Sequence, residues 1–134
     1  MNLYDKDDGF RKFTLEDANA LLPEIIVVTE KTLQRLRLNE NQVQHKFPNI
    51  DASQIDFDHE SKRILDEWGQ QIVELGAYPK GFFTVDFKSP VPDTLFCWKY
   101  GEQSVTHTHK IYETFKDRVS IHRKPLIGFE DNLN

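Results

Sequence analysis

The chain has 134 residues, 38% of them hydrophobic and 29% charged, and carries a formal net charge of -5. That balance is too apolar for disorder, fits one globular domain, and counts against a nucleic-acid partner, which would need a basic face. Its single cysteine, Cys97, excludes an intrachain disulfide and suits a reducing compartment.

The acidic opening through Asp5, Asp7 and Asp8 lacks the basic and apolar regions of a signal peptide, so the expected location is cytoplasmic. The longest apolar run, Leu21 to Val28, is broken by Pro23 and Glu24, and no membrane span is expected. Residues 1–12 are expected to be loosely ordered, 13–127 to form a single domain, and 128–134 to be a polar tail. Lys116, Arg118, His122, Arg123 and Lys124 gather positive charge near the C-terminus, and they read as solvated surface rather than a binding patch.

A helix is predicted from Phe13-Thr14-Leu15-Glu16-Asp17, with Thr14 as cap and Glu16 and Asp17 set against the positive end of the helix dipole. Apolar spacing continues through Leu22, Ile26, Leu33, Leu36 and Val43, with Thr29 and Glu40 filling the gaps. This is the seam of a helix packed on a near-antiparallel partner. Pro23, inside the pattern, predicts a kink or a short first helix joined almost end-on to the next. Phe47-Pro48-Asn49 ends the run, and residues 48–60 are open between loop, an extra turn and the start of the second helix.

That second helix is predicted over 61–75, with Leu65, Trp68, Ile72 and Leu75 as its stripe and Gly76 as the left-handed residue that closes it. Beyond Gly76 the period changes to two. Residues 81–87 and 94–100 read as strands around a proline-containing connection, and 104–109 as a third after the Gly101-Glu102 turn. Ile111 to Phe115 reads as a short helix or turn. The expected class is α+β: a long antiparallel helical hairpin followed by a small, mainly antiparallel three-stranded region.

No phosphate loop, dinucleotide glycine pattern, paired-cysteine metal motif or serine elbow occurs. The chemistry-bearing residues gather in the β region as Asp86, Cys97, Glu102, His107 and His109. His107 and His109, two apart on a strand, project to one face and are able to chelate a metal. Asp86 stands among apolar residues, where burial without a partner would be costly. Asp86, Glu102, His107 and His109 together offer nitrogen and carboxylate ligands for a divalent transition ion of zinc, manganese or iron type, or an acid–base pair. The bland readings are two solvated imidazoles and an Asp86 at a wet sheet edge. Cys97, mid-strand among apolar residues, reads as an inert buried side chain, and His45, His59 and His122 as surface.

The segment from Phe13 through Pro23, Phe-Thr-Leu-Glu-Asp-Ala-Asn-Ala-Leu-Leu-Pro, closely resembles the opening of a bacterial domain-of-unknown-function family, number 2203. Glu74-Leu75-Gly76, Gly81, Val85-Asp86-Phe87 and Cys97-Trp98-Lys99-Tyr100-Gly101-Glu102 are similar to its later motifs. The resemblance implies kinship and brings no established activity with it. It places Asp86, Glu102 and His109 on motif positions, with Arg118 and Arg123 each able to match the family arginine. His107 and Thr108 depart from the pattern, where the family carries aromatic residues.

Two functions follow as expectations. The first is a binding or assembly module whose hairpin forms a homodimer or docks a partner. The second is a small metal-dependent or acid–base enzyme built on Asp86, Glu102 and His109, with Arg118 or Arg123 steadying an anion. A nucleic-acid role through the basic C-terminal segment is the weakest.

Overall fold

The computed structural model describes residues 10–46 and 59–121. The Phe47-Pro48-Asn49 stop, the acidic stretch up to Asp58, the basic residues His122, Arg123 and Lys124, and the polar tail lie outside the described residues.

The first helix, α1, spans Leu15–Lys46. Its start follows from a reciprocal cap: the Asp17 amide donates to Thr14 Oγ1 at 3.0 Å, and the Thr14 amide donates to Asp17 Oδ2 at 3.1 Å. Pro23 lies inside this one element, so no second helix begins there. The proline removes the bond to the Asn19 carbonyl. Burial of Ala18, Leu22 and Ile25 on both sides of it, at 2% exposure or less, holds the helix together across the gap.

The buried stripe of α1 is Ala18, Leu22, Ile25, Thr29, Thr32 and Asn39. It shares Leu22 and Thr29 with the expected seam, but Ile26 and Leu33 are only half-buried, and the Val43 side chain lies outside the description. The seam is displaced because three of its members are polar and internally satisfied. Thr29 Oγ1 donates to the Ile25 carbonyl and accepts from the Trp68 indole, at 2.8 and 3.0 Å. Thr32 donates to the Val28 carbonyl, and Asn39 donates to Ser61 Oγ, both at 3.0 Å. Such groups bury at little cost once paired.

The second helix, α2, spans His59–Glu74 and buries Ser61, Ile64, Trp68 and Ile72. Leu65 gives its expected place to Ile64, as the same small rotation requires. The pairs Thr29–Trp68, Arg35–Glu67 and Asn39–Ser61 ascend along α1 and descend along α2, which makes the hairpin antiparallel. Gly76 closes α2 at φ 95°, as its position in the sequence predicts.

The β region differs from expectation in strand number. The described residues form five strands, β1 (Tyr78–Lys80), β2 (Thr84–Lys88), β3 (Thr94–Lys99), β4 (His107–Lys110) and β5 (Val119–Ser120). They lie side by side in chain order, each antiparallel to its neighbour. β1 and β5 have three and two residues, too few to show an alternating pattern in sequence. Gly81-Phe82-Phe83 forms a 3-10 turn with Phe83 at φ 58°, so β2 starts at Thr84 rather than at Gly81.

The expected third strand is shortened at its start for a different reason. Val105 donates its amide to Asn19 Oδ1 at 2.7 Å, and its carbonyl accepts from Asn19 Nδ2 at 3.3 Å. The side-chain amide of Asn19 thus takes the place of a neighbouring strand. Val85, Phe87, Phe96 and Trp98 pack on one face of the sheet with Leu22, Ile25, Trp68 and Ile72, and this shared layer is the core.

Candidate functional site

Strand alternation sends Asp86, Cys97, His107 and His109 to the sheet face opposite that core. Register aligns Asp86 with Cys97, Cys97 with His107, and Leu95 with His109. This second face is not wet: Asp86 is 3% exposed, Cys97 0% and His109 7%. The edge-strand reading of Asp86 therefore fails, since β2 has β1 on one side and β3 on the other.

His109 Nε2 lies 3.1 Å from Asp86 Oδ1, and His109 Nδ1 lies 2.8 Å from the Lys110 carbonyl. A carbonyl only accepts, so Nδ1 carries a hydrogen and Nε2 is the nitrogen turned toward the cluster. Burial alone would lower the His109 pKa, but the hydrogen bond and negative charge of Asp86 outweigh it and hold the imidazole above its ordinary value. Lys80 Nζ, at 3.8 Å, supplies a second positive group to Asp86.

Cys97 completes the arrangement. Ligand atoms of Asp86, Cys97 and His109 all lie within 4.8 Å of one another, the one such metal-compatible group among the described residues. Burial first, and the Asp86 charge second, push the Cys97 thiol up to about 12. That shift disfavours the thiolate, the form a free nucleophile needs.

The expected partners divide. Asp86 and His109 meet; Glu102 stands apart from them, locked to Arg118 by bonds of 3.0 and 2.6 Å from the two terminal guanidinium nitrogens. Glu102 also accepts from the Lys99 amide at 2.8 Å, and its carbonyl accepts from the Trp98 indole at 2.9 Å. Burial would raise its carboxyl, but the Arg118 hydrogen bond and the Lys99 amide hold it below its usual value. His107 shares the face but is half-buried and turns Nδ1 to Thr106 Oγ1 at 2.9 Å. The spaced pair of histidines does not form a chelate with both rings in the cluster. Arg118 is the arginine at the site; Arg123 lies outside the described residues.

The residue whose place in the cluster sequence reading missed is Cys97. Its signal was present: it opens the Cys-Trp motif, and correct pairing of the strand bearing Asp86 with the strand bearing Cys97 sets the two opposite each other.

The described residues form an antiparallel helical hairpin on a five-stranded antiparallel sheet, an α+β fold with a buried carboxylate–thiol–imidazole cluster on the far face of the sheet. Residues 11–121 match the uncharacterized conserved protein family DUF2203, and the chain belongs to it. No curated protein and no solved structure matches it.

Proposed function

We propose that this protein binds one divalent transition-metal ion through Asp86, Cys97 and His109. The observation that carries this reading is the convergence of one oxygen, one sulfur and one nitrogen ligand within 4.8 Å on a buried sheet face. Mixed sulfur, nitrogen and oxygen donors suit zinc or a similar borderline ion better than magnesium or calcium, which prefer oxygen alone.

The chemistry of the donors supports it. His109 offers Nε2 because the Lys110 carbonyl holds Nδ1, the arrangement by which metal-bound histidines are oriented. Cys97 stays a thiol without a metal, so nucleophilic catalysis by a free thiolate is disfavoured. A bound cation reverses that balance, since a coordinating thiol loses its proton outright. Three protein ligands also leave a fourth position for water or a small molecule, as in centres that do chemistry. A thiolate ligand calls for a reducing compartment, which agrees with a cytoplasmic location.

The assembly reading has less behind it. The hairpin seams are buried inside the chain by Leu22, Ile25, Ile64, Trp68 and Ile72. Among the described residues, the exposed large apolar side chains on the helices are Val27, Leu38 and Val73, each between 40 and 56% exposed. Scattered apolar side chains of this kind are common on monomers.

Competition with a chromophoric chelator tests the metal reading. Purified protein is expected to take up one zinc per chain, with Cys97→Ala and His109→Ala each losing it while keeping their helical circular dichroism. Equal zinc uptake by protein and variants would remove the reading.

A further inference from the structure

Beside the metal cluster lies a pocket of about 280 Å³, walled by the β2–β3 turn, by Lys12 ahead of α1 and by Ile111 after β4. Register sets its place. Leu95 stands opposite Lys88 on one side and His109 on the other, so it separates the pocket from the cluster. Three backbone hydrogen bonds fix the walls to one another. The Phe13 amide donates to the Lys88 carbonyl at 2.7 Å, the Ile111 amide to the Asp93 carbonyl at 3.0 Å, and the Ser89 amide to the Thr94 carbonyl at 3.3 Å. Walls bonded in this way are preformed, as those of small-molecule sites usually are.

The lining carries two kinds of chemistry. Pro90, Val91, Pro92, Leu95 and Ile111 supply apolar surface, while Lys12 and Lys88 supply positive charge. Lys12 is exposed, but Lys88 is only 7% exposed. Lysine is seldom buried so far, and its stem packs on apolar walls while the ammonium seeks polar company. An ammonium has three donors, so Lys88 can keep a protein partner and still meet a ligand. Asp93 also lines the pocket, and against the two lysines it leaves one net positive charge. The hydroxyls of Ser89 and Thr94 are spent on the turn itself, donating to the Thr94 and Pro92 carbonyls at 2.5 and 3.1 Å. A phosphate, which has many acceptors to satisfy, would meet few donors here.

We propose that this pocket binds a small monocarboxylate with an apolar body, its carboxylate on Lys88 and its body against Val91, Leu95 and Ile111. One net positive charge matches one carboxylate, and the apolar walls match the rest of the molecule. The volume lies just under the range of about 300–1,000 Å³ usual for drug-sized ligands, which confines the occupant to something near the size of a benzoate. This binding needs no metal at Asp86, Cys97 and His109.

Fluorine NMR of the whole chain titrated with 4-fluorobenzoate tests it, with 4-fluorobenzamide as the neutral counterpart. The acid is expected to bind saturably and the amide at least about 10-fold more weakly, since it lacks the charge that Lys88 meets. Lys88→Met keeps the length of the side chain without its ammonium and should weaken the acid about 10-fold or more. Asp93→Asn should tighten it about 2- to 5-fold by removing a like charge. Asparagine tolerates the left-handed backbone of Asp93, at φ 58°, so this variant keeps the test decisive even where Lys88→Met does not fold. The same affinities are expected with and without bipyridine, which strips metal.

Equal binding of acid and amide, no saturable binding of the acid, or an unchanged affinity in Asp93→Asn overturns the proposal. Inorganic phosphate that competes at lower concentration than the acid overturns the carboxylate class. Probe binding that bipyridine abolishes belongs to the metal cluster and overturns the separate pocket.

Discussion

His109 faces Asp86 through Nε2 at 3.1 Å while its other ring nitrogen is held by the Lys110 carbonyl at 2.8 Å. Both nitrogens therefore meet oxygens, and a hydrogen bond to Asp86 needs a second proton on the ring, the form that the raised His109 pKa favours. A metal ion bound between these groups displaces it, and also the proton of the Cys97 thiol.

Metal uptake near neutral pH is accordingly expected to release about two protons per ion, one from the His109–Asp86 pair and one from Cys97. Calorimetry in buffers of different ionisation enthalpy counts them. Cys97→Ser should lower the count by one if it still binds, and release of no protons would mean the ion sits elsewhere.

The same pair is expected to make the stability of the metal-free protein fall as pH rises. The folded-state pKa of His109 is raised above its unfolded value near 6.5. Its contribution to stability is therefore complete below that unfolded value and is lost as pH rises through the folded one. Urea denaturation of the metal-free wild type should show falling stability across that window, and His109→Gln should show a flatter profile. An identical profile in the two proteins would exclude the pair as the cause.

Much of the scaffold could be read in the sequence because its signals are local. Thr14 caps α1 as expected, Gly76 ends α2 at the left-handed angle foreseen for it, and the change of period after Gly76 marks the sheet. The α1 seam was harder, since Thr32 and Asn39 look like surface residues until their partners are known. β1 and β5 escaped because strands this short are defined by their neighbours rather than by their own residues.

The site was half legible for the same reason. Asp86 stood out as a charged residue among apolar ones, and His109 through its spacing from His107 and its motif position. Cys97 joined them only through register, and Glu102 was drawn off by Arg118, a residue 16 positions away in sequence.

Asn19 offers a direct test of the helix-to-sheet junction. Its amide makes paired hydrogen bonds with both backbone groups of Val105, which is 1% exposed. Asn19→Ala leaves that buried amide and carbonyl without these partners and is expected to cost about 1–3 kcal/mol in chemical denaturation. A loss within about 0.5 kcal/mol, the range of ordinary surface substitutions, would show that the junction does not depend on it.

The hairpin seam can be tested through Thr29 and Trp68, whose indole donates to the threonine hydroxyl at 3.0 Å. Thr29→Val removes the acceptor and strands a buried donor, for an expected cost of about 1–3 kcal/mol. Adding Trp68→Phe should then cost less than the same change does in the wild type, because the stranded donor goes with it. Strict additivity in this double-mutant cycle would indicate that the bond contributes nothing of its own.

X-ray absorption at the zinc edge of the loaded protein tests the central claim most directly. Coordination by Asp86, Cys97 and His109 requires one sulfur neighbour at about 2.3 Å together with nitrogen and oxygen neighbours at about 2.0–2.2 Å. The sulfur shell should vanish in Cys97→Ser. A shell of nitrogen and oxygen alone in the wild-type protein, or a sulfur shell that survives the substitution, would contradict the claim.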